Sequence, residues 1–166
     1  MFKTLTAATI LFALTFGSTA FAGERARWHY VSGSAIHYES EGIEHSLEPT
    51  AEGFIRRSTD IVDLSGDLNG RALFQPVSVI NLVEGTMVNT GHQVFSGTVL
   101  DSDPVVIADR DFLFTVDLNT GETTGVIFLV RRVAGQRIRC LLFMQGTGRT
   151  AEGYNLSDYW GHCRMR

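Results

Sequence analysis

Cys140 and Cys163, placed side by side on antiparallel strands, would fix a register and sort the side chains around them onto two faces. One face carries Ile138, Cys140, Leu142 and Met144 beside Met165, Cys163, Gly161 and Tyr159, and is almost wholly apolar. The other carries Arg139, Leu141, Phe143 and Gln145 beside Arg164, His162, Trp160 and Asp158. A small-molecule cavity needs apolar surface for binding energy and a few polar groups for orientation. Phe143, Trp160 and His162, with Gln145 or Asp158 as the polar handle, are therefore the candidate ligand-binding residues. An antiparallel sheet also commonly turns one mixed face to water. In that arrangement the Ile138, Leu142 and Met144 face lines the interior as a packed core.

Three other groups have chemistry-bearing side chains. Arg131, Arg132, Arg137 and Arg139 flank the turn at Ala134-Gly135, where guanidinium groups would either grip a carboxylate or phosphate or serve as solvated strand ends. His29, His37 and His45 recur at equal spacing, with Glu39, Glu41 and Glu44 between the last two. These are ligand types for zinc or copper, but the spacing fits no usual metal motif, so no metal is expected and the stretch reads as a polar, partly mobile terminus. Glu84, Asn89, His92 and Gln93 cluster on one hairpin. A His beside an acid suits proton transfer, although turn residues bonding their own backbone explain most of this pattern. G-x-S-x-G, H-E-x-x-H and a G-x-G-x-x-G that leads into a helix are absent. No catalytic residue is named, and no cofactor is expected.

The elements that must position these groups read as strands. Segments 72–83, 93–100, 105–116, 123–132, 136–145 and 158–166 are mostly rich in Val, Ile, Leu, Phe and Thr, and turn residues separate them. Residues 28–38 and 53–63 supply two more strands, while the acidic stretch 39–52 reads as a loop. Helix should be minor. About eight antiparallel strands joined by short hairpins fit an all-β, up-and-down barrel that closes on itself around a narrow interior. A two-layer sandwich has the same strand count. An outer-membrane barrel would need a lipid-facing apolar band with aromatic girdles, which the arginine-rich strand ends fit poorly.

Residues 1–22 have the three-part form of a secretory signal: Lys3, an apolar run over 5–16, and Ala20-Phe21-Ala22 before Gly23. The apolar run is too short to span a bilayer, which takes roughly 20 residues. The expected product is a secreted or periplasmic single domain over 23–166, with no membrane span once the signal is removed. Export takes both cysteines into an oxidising compartment, which favours a Cys140–Cys163 disulfide. The whole chain has a net charge of −4, and Lys3 is its only lysine. The mature domain is thus more acidic still and contains no lysine for Schiff-base chemistry. Its charge also disfavours nucleic acid as a partner.

The stretch Gly146-Thr-Gly-Arg-Thr-Ala-Glu-Gly-Tyr154 precedes a last strand ending Tyr159-Trp-Gly-His-Cys-Arg164. Together with Phe95-Ser-Gly-Thr-Val99 and the Asp117-Leu-Asn-Thr-Gly121 turn, it resembles the allene oxide cyclase and dirigent type of calycin-like barrel. The likeness covers roughly residue 60 to the end, and the bacterial barrels most like it are secreted domains without an assigned reaction. In dirigent proteins a Gly-Thr-Gly, a small residue and a further Gly mark a late strand, matched here by Gly146, Gly148, Ala151 and Gly153. The spacing after Gly148 is one residue shorter than in the plant pattern. The resemblance speaks to fold more than function, and no catalytic residue transfers with it. The leading expectation is an exported barrel that holds a small apolar or amphipathic molecule in its lumen; the alternative is a cofactor-independent cyclase or isomerase of the same shape, the chemistry that members of these families perform. A structural module is the third class, its face of Cys140, Ile138, Leu142 and Met144 packing against another copy in a homo-oligomer. The first expectation to check is cleavage between Ala22 and Gly23. The intact mass of protein from the exported fraction should begin at Gly23, and a species beginning at Met1 would refute export.

Overall fold

The computed structural model describes residues 27–166; the cleavage site expected from the sequence lies outside them. Alternating apolar and polar residues, interrupted by turn residues, form eight strands: β1 (Arg27–Pro49), β2 (Gly53–Gly66), β3 (Leu68–Asn81), β4 (Thr86–Val99), β5 (Val105–Asp117), β6 (Thr123–Ala134), β7 (Ile138–Arg149) and β8 (Asn155–Met165). Each strand pairs antiparallel with the next, and β1 also pairs with β8, from Arg27 opposite Met165 to His37 opposite Asn155. The sheet is a closed barrel rather than a sandwich, and no strand is left as an edge. The described residues contain no helix.

The acidic stretch expected as a loop belongs to β1 instead. Arg56 and Arg57 on β2 explain this: the Arg56 Nε lies 3.3 Å from Glu44, and the Arg57 Nη1 lies 2.5 Å from Glu48. Cross-strand pairs of opposite charge hold the extended backbone where composition alone suggested solvent. Between Tyr38 and Ile43 the register with β2 shifts, so residues 39–42 bulge out against Asp60. The histidine stretch read as a partly mobile terminus is likewise ordered strand.

One end of the barrel is packed and the other is open. At the packed end the β2–β3, β4–β5 and β6–β7 turns surround Val31, Leu68, Phe95, Val99, Ile107, Ile138 and Leu142, all fully buried. Tyr159 plugs this end. The backbone N–H of Leu68 donates to its hydroxyl at 2.7 Å, and that hydroxyl stands 3.2 Å from the carbonyl oxygens of Ser65 and Leu68. Burial pushes its pKa up. Gly33 makes room for the ring, since a Cβ there would lie 2.4 Å from the hydroxyl.

Cys140 and Cys163 pair directly across β7 and β8 and are bonded, both buried on the inner face. Their separation of 23 residues makes loop-closure entropy worth about 3 kcal/mol. Replacing both by Ala should lower stability in urea by about that amount. Thiol labelling of unreduced, denatured protein should find no free cysteine. Two labelled thiols would refute the bridge.

Candidate functional site

The register expected from the cysteines is the register found: Leu141 faces His162, Phe143 faces Trp160, and Gln145 faces Asp158. The face is reversed. Phe143 and Trp160 are 43% and 38% exposed, His162 and Asp158 are exposed, and Gln145 is half-buried. They stand on the outer wall, where the Phe143 and Trp160 rings stack at 6.3 Å and His162 meets Tyr30 edge-on at 5.6 Å. None of the five lines the lumen cavity, although Asp158 and Trp160 border a shallow depression outside it with Tyr30 and Ser32. The reason is that the packed end excludes water, so it takes the wholly apolar face and leaves the mixed one to solvent. The same reversal places Ile138, Cys140, Leu142 and Met144 inside the barrel, where they cannot meet another copy.

The open half of the barrel encloses a cavity of about 640 Å³. Its mouth lies among the β3–β4, β5–β6 and β7–β8 turns. Phe74 is central to the wall, 4.6 Å from the Phe112 ring and 5.8 Å from Phe114. Phe114 lies flat on β6 because residue 125 is glycine; a Cβ there would come within 2.0 Å of the ring. Leu64, Ile80, Val116, Ile127 and Met144 complete the apolar surface.

Against this surface stands a polar group from β1 and β2. Nε2 of His37 lies 3.1 Å from Oδ2 of Asp60, whose side chain is 1% exposed. Arg56 reaches three carboxylates, with nitrogens 3.7 Å from Asp60, 3.5 Å from Glu39 and 3.3 Å from Glu44. His37, Glu39, Arg56 and Asp60 all line the cavity, joined by Ser78, Asn89 and Gln93. At the mouth the Tyr154 hydroxyl donates to Glu41 at 2.5 Å, tying the β7–β8 turn to the bulge of β1. This bond raises the pKa of Tyr154.

Of the equally spaced histidines, only His37 reaches this cavity; His45 bonds Thr59 at 2.9 Å near the tip of the β1–β2 hairpin. No group of three or more metal-ligating side chains is gathered among the described residues. Asn89 and Gln93, read in the sequence as turn chemistry, are lumen residues of β4, while His92 does not line the cavity; it is 71% exposed, with its Nδ1 3.5 Å from Oδ1 of buried Asp109. All four arginines around Gly135 are exposed at the packed end, and two are spent on backbone: Arg131 donates to the Asp109 carbonyl and Arg132 to that of Gly135. Sequence reading missed Arg56, Asp60, Phe74, Ser78 and Phe114. For Arg56 and Asp60 the signal was the strict alternation Arg56, Ser58, Asp60, Val62, Leu64 along one face of β2, a gradient from polar to apolar.

Several buried polar atoms in the barrel have no hydrogen-bond partner: Ser58 Oγ, Asp60 Oδ1, Gln93 Nε2 and both carboxylate oxygens of Asp109. Such atoms each cost on the order of 1–3 kcal/mol and point to something other than stability. No protein-family model, curated protein or solved structure matches the chain.

Asp109 is fully buried, and burial raises its pKa above 3.8, with the nearby Gln93 backbone and His92 opposing the shift. The folded state therefore holds this proton more tightly than the unfolded chain does. Its contribution to stability is complete below pH 3.8 and falls as pH rises through the raised folded value. Asp109→Asn should then be more stable than the wild type at neutral pH, with the gap closing toward acid pH. Urea unfolding of both proteins across the acid range checks this, and a gap that does not change with pH would contradict it.

Proposed function

We propose that this protein is an exported barrel that binds a small apolar or amphipathic molecule in its lumen, the apolar part against Phe74 and Phe114 and the polar end against the His37, Asp60 and Arg56 group. The observation that carries this reading is the union of an aromatic-walled cavity of about 640 Å³ with buried polar atoms that accept or donate no hydrogen bond, Asp60 Oδ1 and Gln93 Nε2, on residues of its wall. Ligand sites commonly occupy about 300–1,000 Å³ and combine apolar lining with a few polar groups. A core built only for stability would fill that volume and leave such atoms out. The signal-like N-terminus and the disulfide support export. The resemblance to allene oxide cyclase and dirigent barrels supports the same use of the lumen.

A second reading, a cofactor-independent cyclase or isomerase, is favoured by the His37–Asp60 contact in the cavity wall. Binding alone does not require an imidazole oriented by a buried carboxylate.

Titration with 1-aminoanthracene, a flat apolar amine whose fluorescence rises out of water, tests the chamber. Val116→Trp, which fills the lumen near its mouth, should weaken binding at least about tenfold, or about 1.4 kcal/mol. Trp160→Ala and Phe143→Ala, on the outer wall, should change it less than about twofold. Binding that survives Val116→Trp and is lost in Trp160→Ala would move the site outside the barrel and refute the reading.

A further inference from the structure

Asp60 and Gln93 flank Phe74 on one row of the lumen wall, because Asp60 pairs with Phe74 across β2 and β3, and Phe74 pairs with Gln93 across β3 and β4. Two strand spacings separate these groups by roughly 10 Å. Asp60 is the carboxylate that meets His37. With the Asp60 oxygen as acceptor, Nε2 of His37 is the donor and the ring's lone pair is on Nδ1. Nδ1 has no hydrogen-bond partner among the described residues.

The pair is held from every side. The His37 ring stands edge-on to Phe74 at 5.6 Å. Arg56 faces the second oxygen of Asp60 at 3.7 Å, and the bulge of β1 closes over it so tightly that a Cβ on Gly42 would lie 2.2 Å from that oxygen. This is a base oriented by a third group, the arrangement that proton transfer from carbon uses. Across the Phe74 ring, Gln93 contributes a buried Nε2 donor with no partner, a group suited to a developing oxyanion.

We propose that the lumen is a proton-shift site for apolar carbonyl compounds, with His37 as the base, Asp60 as its positioning residue and Gln93 as the oxyanion donor. The proposal rests on the reading of the lumen as a ligand chamber and adds a reaction to it. With an unsaturated ketone on the Phe74 ring, Nδ1 of His37 takes a proton from the carbon next to the carbonyl. The C–H electron pair moves into an enolate whose oxygen accepts from Gln93. The imidazolium then returns the same proton to the far end of the conjugated system, so the double bond migrates. No atom or electron is gained or lost, and no cofactor takes part.

5-Nitrobenzisoxazole is a suitable probe, an apolar bicycle that a base opens by removing its ring C–H as the N–O bond breaks, releasing a coloured nitrile phenolate. The oxidised protein should turn it over. His37→Gln should lower kcat about a hundredfold or more while leaving KM within about twofold. Asp60→Asn should lower kcat and redistribute the hydrogen between the two ring nitrogens in the ¹⁵N spectrum of His37. If His37→Gln fails to fold, His37→Gly with added imidazole should recover turnover, and failure of that rescue counts against the base. Equal kcat/KM in the wild type and His37→Gln would overturn the proposal, as would a wild-type spectrum with the hydrogen on Nδ1. Probe binding without turnover overturns the proton-shift site and leaves the chamber standing. If neither this probe nor 1-aminoanthracene binds, both readings fail.

Discussion

The pairing of β1 with β8 is the constraint on which everything else depends. It removes the last two strand edges and converts a meander into a cylinder with an inside, whose volume must be filled or used. Closure brings the end of the chain back to its beginning, and Tyr159 then bridges the seam. Its ring projects from β8 past Gly33 of β1, and its hydroxyl satisfies the Leu68 N–H at the β2–β3 turn. That one hydroxyl ties β8 to the β2–β3 turn across β1.

The lumen divides into two chemistries along its axis. At the packed end, burial of Phe95, Ile107, Leu142 and their neighbours, together with the disulfide, supplies stability. At the open end the same strands place carboxylates, amides and hydroxyls inside, several without partners. Polar groups taken from water without compensation oppose folding. The dry half and the cross-link are the stabilising side of that balance, so the lower half of the barrel is a support for the upper half.

The bulge in β1 and the lapse in pairing around Pro76 fall at the level where these chemistries meet. Pro76 lacks an N–H, and the β2–β3 ladder resumes only between Asp60 and Phe74. Residues 39–42 use the slack opposite Asp60. His37, Glu39 and Asp60 line one cavity at this level.

Much of this was readable from the chain. Period-two alternation and turn residues marked most of the strands, and the two cysteines located the β7–β8 register to the residue, because both depend on neighbours in sequence or on one covalent link. The extension of β1 was not readable, since Glu44 and Glu48 are held by Arg56 and Arg57 on another strand. Nor was the inside. Alternation divides a strand into two faces but contains no term that says which faces inward, and the mixed face of Phe143 and Trp160 met the requirements of a lining as well as of a wet wall. Only closure decides, because the direction in which the sheet curves determines which side chains lose contact with water. That same curvature brought His37, Asp60, Phe74 and Gln93 together from four strands, a juxtaposition that no local spacing encodes.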